Sequence, residues 1–197
     1  MKEYKLPIGC DVPETIILAD GDFPSHPLAL EWLRQCPYVV CCDGAANTYI
    51  RSGRMPEAIV GDGDSLLPDI KERYASLIHS EAEQETNDLS KAFRFCLSQE
   101  RKRITIMGAT GKREDHTIGN VSLLADYMEQ AEVSMMTDYG IFVPIREDSM
   151  FESYIGQQIS VFNMNSTALS AEGLAYPLSV FTNWWQGTLN EALARHL

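Results

Sequence analysis

Asp62 and Asp64 stand two residues apart in IVGDGDS, directly after an apolar run. Carboxylates that close repel each other unless a cation or a proton lies between them. In an extended segment both would project to the same side. The same spacing also suits an Asx-type turn, with the carboxylates on local N–H groups and Gly63 at positive φ. Three more aspartates hold similar places, where an apolar run or a helix start meets Gly or Asn: Asp43 in CCDGAAN, Asp88 in QETNDLSKA and Asp115 in GATGKREDH. Such junctions line one edge of an open α/β sheet, where ligands bind. Carboxylates gathered there call for a hard cation, and Mg²⁺ carrying a polyphosphate is the natural candidate.

GATGKREDH has the composition of a phosphate loop. Gly108 and Gly111 free the backbone for close approach, and the helix that follows offers its N-terminal N–H groups to an anion. Lys112 and Arg113 add positive charge, and Arg can hold phosphate oxygens in a bidentate fashion. A Walker A loop is excluded, because two residues rather than four separate the glycines and Arg113 stands where Ser or Thr is needed. Glu114 and Asp115 also complement a helix dipole, as does Asp88 after Asn87. His116 reads as a general base or as a hydrogen-bonded helix-start histidine. No GxSxG elbow or nucleophile–base set is present.

These residues need a scaffold, and the pattern supplies one. Apolar runs at 15–20, 38–43, 58–62, 77–80, 103–109 and 132–138 read as strands, continuously apolar as buried parallel strands are. Helical segments alternate with them. Ser25 is a candidate cap for PLALEWLRQC, Pro68 starts a short helix, and Asn87 caps DLSKAFRFCLSQ. The alternation predicts βαβ units: a Rossmann-like three-layer α/β domain over residues 1–135. Residues 136–197 carry short β-type runs broken by Gly, Pro and Asn, which predicts a small antiparallel β-sandwich domain. That part is poor in cationic side chains: from residue 131 onward Arg146 and Arg195 face seven acids. It suits an apolar or cationic ligand, and adjacent Trp184 and Trp185 offer either core packing or a ring for stacking.

The chain has 197 residues and a net charge of -12. That balance argues against a nucleic-acid surface and against anionic membranes. The N-terminus shows no apolar signal region, and no run approaches a membrane span. Five cysteines without a CxxC pair read as reduced thiols of a cytoplasmic protein.

Taken in order, DGAAN (43–47), GDGDS (61–65), QETNDLSKA (84–92), GATGKREDHTIGN (108–120) and EGLAYPL…GTLNEA (172–192) make the chain resemble the thiamine pyrophosphokinases. The resemblance implies a homodimer, with the active site at the subunit interface, that uses ATP as co-substrate and Mg²⁺. It would transfer the β,γ-diphosphate to the hydroxyl of thiamine, giving thiamine diphosphate and AMP. It implies metal ligation by Asp43, Asp62, Asp64 and Asp88, with Asp64 and Asp88 catalytic. The nucleotide is expected on Asp43, Gln84, Asn87, Gly108, Thr110, Gly111, Arg113, Asp115 and His116. Thiamine is expected on Trp184, Trp185, Thr188 and Asn190. Two departures stand out: Asn87 replaces a frequent Thr, and Leu189 a usual Ser. A regulator that binds thiamine or nucleotide without catalysis, and a diphosphokinase acting on another alcohol such as a pterin, are the alternative readings.

Overall fold

A computed structural model describes residues 1–197 apart from 8, 10, 82, 84, 165, 167, 168 and 179–186. The chain divides into two compact units, one of Ile8–Pro144 and one of Met1–Pro7 with Ile145–Leu197. The larger unit is built on β2 (Thr15–Leu18), β3 (Val39–Cys42), β4 (Ala58–Gly61), β5 (Ile78–Ser80), β6 (Arg103–Met107), β7 (Glu132–Met136) and β8 (Ile141–Phe142). Among the described residues they form one sheet in the order β5-β4-β3-β2-β6-β7-β8, parallel except for β8. β2, β3 and β4 are buried along their whole length, which is why their sequences run apolar without alternation.

Helices cover both faces. α4 (Asp88–Ser98) and α5 (Glu114–Tyr127) place Leu89, Phe93, Leu124 and Tyr127 on one side, against Ile17, Val40, Val60 and Ile106. α1 (Pro27–Gln35), α2 (Ala45–Arg51) and α3 (Pro68–Arg73) put Trp32, Leu33, Tyr49 and Ile70 on the other, against Ile16, Leu18, Val39 and Ile59. This is the expected three-layer arrangement. Asn87 caps α4 as expected, its Oδ1 accepting from Ser90 N at 2.9 Å, and Pro68 opens α3. Ser25 does not cap α1. That place belongs to His26, whose Nδ1 accepts from Leu28 N at 3.2 Å. Ser25 and His26 instead give their N–H groups to the Asp138 carboxylate.

β8 hydrogen-bonds to β7 and stays with the sheet, so the larger unit runs on to Pro144. The smaller unit also takes in the first residues of the chain. β1 (Lys2–Tyr4) pairs in parallel with β9 (Ser149–Phe151), and Tyr4 stacks on Phe151 with ring centroids 4.6 Å apart. β10 (Gln158–Ile159) and β11 (Asn190–Glu191) form the antiparallel pair. Cys36, Cys41, Cys42 and Cys96 are free thiols. Among the described residues no helix is long and apolar enough to cross a membrane.

Candidate functional site

Every parallel strand of the sheet ends on the same edge, so the segments after β2, β3, β4, β5 and β6 share it. The chain runs outward one way from β2 to β5 and the other way from β6 to β7, which puts the reversal of strand order between β2 and β6. Ligand crevices form at such a switch point.

The acidic centre sits beside it. One carboxylate oxygen from each of Asp43, Asp62 and Asp64 lies within 4.8 Å of the others. Asp43 follows β3 and is buried, with φ at 30°, a strained backbone for a residue other than glycine. Its Oδ2 accepts from Ser65 N at 3.1 Å. Its Oδ1 is buried with no hydrogen-bond partner among the described residues. Burial pushes the Asp43 carboxyl up to about 6; the Ser65 N–H opposes this, while the nearby Asp64, Asp88 and Asp62 carboxyls add to it.

The GDGDS segment is not extended. Asp62 Oδ1 accepts from Asp64 N at 3.1 Å and Gly63 has φ +74°, so the Asx-type turn is the one formed. The turn and the acidic cluster coexist, because the turn uses one oxygen of Asp62 and still brings Asp64 toward Asp43. The turn is held from outside by Lys71 Nζ on Gly63 O at 2.7 Å and by Asn47, which donates to Ser65 O at 2.8 Å and accepts from Leu67 N at 3.0 Å. Asn47, the last residue of DGAAN, thus positions the acids that follow β4.

Asp88 is not in the three-acid cluster, but it is adjacent. A Cβ on Gly61 would lie 2.8 Å from Asp43 Cβ and 3.4 Å from Asp88 Cγ, so both acids flank that glycine, which has no side chain to keep them apart. Asp88 Oδ1 accepts from Lys91 Nζ at 3.1 Å. Lys91 is 3% exposed. Burial works against its charge, yet the bond to Asp88 and the nearby Asp88, Asp62 and Glu83 leave its pKa above the ordinary lysine value. A buried cation among acids was not foreseen from the sequence; its place one turn after Asp88 was the available signal.

After β6 the chain turns through Gly108, Gly111 and Lys112, all at positive φ. This loop lies against the segment after β2, with Gly21 N donating to Gly108 O at 2.6 Å and Asp22 N to Thr110 O at 2.9 Å. Lys112 Nζ reaches across to Asp20, at 2.8 Å from its backbone O and 3.1 Å from Oδ1. A cavity of about 180 Å³ opens here, lined among others by Asp20, Asp22, Thr48 and Lys112. Asp20, Gly21 and Asp22 escaped the sequence reading, although ADGD repeats the pattern of an acid after an apolar run. Arg113 precedes α5 and pairs with Asp115, Nε to Oδ1 at 3.0 Å. That guanidinium holds the Asp115 carboxyl below the usual range, helped by the His116 N–H. Asp115 is therefore an orienting partner for Arg113. His116 lies exposed beside it on the first turn of α5.

Asn87 belongs to this edge. Thr188 and Asn190 belong to the smaller unit. There Thr188 Oγ1 accepts from Val161 N at 2.9 Å, and Asn190 exchanges hydrogen bonds with the backbone of Tyr176. Gln84, Trp184 and Trp185 lie outside the described residues.

The comparisons with known proteins converge. The chain matches the model for the catalytic domain of thiamin pyrophosphokinase over residues 29–136. It matches the model for the substrate-binding domain of thiamin pyrophosphokinase over residues 140–197. It is 30% identical over 129 residues to thiamine pyrophosphokinase 1 of Oryza sativa subsp. japonica, a match covering 53% of this chain and 49% of that protein. It is 34% identical over 86 residues to thiamine pyrophosphokinase of Bacillus subtilis, covering 42% and 40%. The chain thus spans about half the length of the curated relatives it matches. In fold it is similar to yeast thiamin pyrophosphokinase, with a TM-score of 0.76 at 18% identity over 99% of this chain and 86% of that one. It is also similar to the Candida albicans thiamin pyrophosphokinase, with a TM-score of 0.74 at 17% identity over 99% and 87%.

Proposed function

Because the chain belongs to the thiamin pyrophosphokinase family, we propose that it transfers the β,γ-diphosphate of ATP to thiamine, yielding thiamine diphosphate and AMP. The observation that carries this reading is the convergence of Asp43, Asp62 and Asp64 on one sheet edge, with a buried Asp43 oxygen that no donor among the described residues meets. Such an oxygen costs free energy unless a cation or a proton approaches it. The donor set consists of hard carboxylates, which fits Mg²⁺. Asp43, Asp62 and Asp64 would hold the ion, with Asp88 beside them. When bound, Mg²⁺ supplies charge neutralisation to the polyphosphate.

The remaining work falls to this chain's own groups. In phosphoryl-type transfer the protein chiefly positions reactants and balances charge. Gly108, Thr110 and Gly111 bring backbone close to the phosphates, and Arg113, oriented by Asp115, faces the charge that builds on them. Gln84, Asn87 and His116 complete the nucleotide side. The thiamine hydroxyl oxygen attacks the β-phosphorus, and the bond from that phosphorus to the α,β-bridging oxygen breaks, so AMP leaves. The hydroxyl proton passes to a carboxylate, that of Asp64 or Asp88. Thiamine is a cation, and the acidic smaller unit suits it: Trp184 and Trp185 would supply rings for stacking, with Thr188 and Asn190, which bond to Val161 N and to the Tyr176 backbone, as the other residues of that side. The working form is taken to be a cytoplasmic homodimer.

Purified protein incubated with ATP and Mg²⁺ should release AMP, not ADP, and only when thiamine is added. ADP as product would replace this reading with a simple kinase. Tight thiamine binding without turnover would make the protein a binding regulator, and a pterin alcohol outcompeting thiamine would change the acceptor.

A further inference from the structure

Four groups in the larger unit form one hydrogen-bonded line. Ser90 N donates to Asn87 Oδ1 at 2.9 Å, Asn87 Nδ2 to Asn120 Oδ1 at 3.1 Å, and Asn120 Nδ2 to Ala109 O at 2.8 Å. Its direction is dictated at both ends. A backbone N–H can only donate and a backbone carbonyl can only accept, so each amide must turn its oxygen toward Ser90 and its nitrogen toward Ala109. A carboxylate at either position would break the line, because it offers no donor.

The two ends matter. Asn87 is the cap of α4 and is followed by Asp88. Ala109 lies inside the glycine loop between Gly108 and Gly111. Asn120 itself is a buried polar side chain on the second turn of α5, 8% exposed. Its amide joins the acid-bearing segment after β5 to the loop after β6. Those segments lie 21 residues apart in sequence (109 − 88) and follow strands four positions apart in the sheet. Helix packing already holds α4 to α5 by another route: Ser90 Oγ and Tyr127 Oη are 2.8 Å apart, and Phe93 stacks on Tyr127. A second tether, placed at the ends of the helices that face the site, is not needed to keep them together.

We propose that Asn120 is a positioning residue that, through Asn87, fixes the spacing between Asp88 and the 108–111 loop, and so aligns the acceptor-activating carboxylate with the phosphates. The proposal rests on the diphosphoryl-transfer reading. Diphosphoryl transfer depends on alignment, and small displacements of aligned groups lower the rate steeply.

The test is a double-substitution cycle in the full chain, comparing Asn87→Ala, Asn120→Ala and both together. Calorimetry with Mg²⁺ and the non-cleavable α,β-methylene analogue of ATP reads nucleotide affinity without turnover. Each single variant should lose kcat or analogue affinity by about tenfold, as expected for one buried hydrogen bond left half-made, and the double variant should be no worse than either single one. Tyr127→Phe is the control: it removes the other interhelical bond and should lower thermal stability while leaving kcat and analogue affinity unchanged. Wild-type kinetics and affinity in Asn120→Ala, or losses that multiply in the double variant, would overturn the proposal. If Asn120→Ala does not fold, the nearly isosteric Asn120→Asp keeps the acceptor toward Asn87 and loses the donor toward Ala109. It should show the same loss, and unchanged kinetics there would be equally fatal. Wild-type protein that binds the analogue but never turns over thiamine would refute the proposed reaction while leaving the cycle readable in affinity. Failure to bind the analogue at all would sink both.

Discussion

The buried carboxylate of Asp43 accepts one hydrogen bond, from Ser65 N at 3.1 Å, and its second oxygen meets no donor among the described residues. A carboxylate so placed carries its negative charge at a cost. Its pKa lies near 6 in the fold against 3.8 ordinarily, so the folded state holds this proton more tightly than the unfolded chain does. The stability contribution is complete below 3.8 and is lost as pH rises through about 6. In chelator-treated protein, Asp43→Asn should therefore gain about 1–2 kcal/mol over wild type at pH 8, with the gain fading toward pH 4. Thermal melts across that range decide it, and no gain at pH 8 would refute the buried-charge assignment. Adding Mg²⁺ at pH 8 should raise the melting temperature of wild type and leave the variant nearly unmoved.

Asp64 makes the contrasting case, because it is exposed and its side chain accepts from Ser65 Oγ at 2.9 Å. Asp64→Asn removes a charge from a repelling group without opening a cavity. Stability should stay within about 0.5 kcal/mol of wild type, while Mg²⁺-dependent turnover should fall by about 100-fold or more. A Mg²⁺ titration of both proteins checks this. Retention of most of the activity would remove Asp64 from the metal site.

Gly21 is held by backbone on two sides. A Cβ there would lie 2.3 Å from Thr110 O and 2.4 Å from Gly108 O, and neither carbonyl can rotate away as a side chain would. Gly21→Ala must push the glycine loop off β2. The expected loss is about 2–4 kcal/mol of stability, together with weakened nucleotide binding in whatever protein remains folded. Gly53→Ala is the comparison: the site is open, and its positive φ is the sole penalty. Denaturant titrations of the two variants should separate them clearly, and equal costs would mean the loop yields more easily than its contacts imply.

Gly21 also marks where the sequence stopped being readable. The continuous apolar runs of β2, β3 and β4 announced buried parallel strands, and the acids after them announced the edge, since both signals are local. The partner of Gly21 lies 87 residues away at Gly108 (108 − 21), and nothing in ADGDF says which loop it will touch. Lys91 reads as an ordinary polar residue on an amphipathic helix until the fold buries it against Asp88. Asp62 and Asp64 were legible as a pair, but the turn that joins them depends on Lys71 and Asn47, which reach it from α3 and α2. The parallel partner of β9 could not be found from periodicity, because the strand that supplies it opens the chain. Thiamine itself came from the resemblance alone; the acids and the glycine loop spoke only of Mg²⁺ and polyphosphate.

Asn190 sets structure against substrate contact. It is 4% exposed. Its Oδ1 accepts from Tyr176 N and Glu191 N, both at 3.0 Å, and its Nδ2 donates to Tyr176 O at 2.7 Å. With those bonds made, the amide serves chiefly to hold the 174–176 segment beside β11. Asn190→Ala should cost about 1–3 kcal/mol, since it leaves Tyr176 with unmet backbone groups. A saturating ligand stabilises any protein that binds it in proportion to its affinity. If Asn190 acts through structure, thiamine should raise the melting temperature of the variant by as much as it raises that of wild type. If the variant loses the thiamine shift while keeping its stability, the residue contacts the substrate directly and the structural assignment fails. Trp185→Ala, in the same assay, should show the opposite pattern: the thiamine shift shrinks while the shift produced by Mg²⁺ and the ATP analogue is retained.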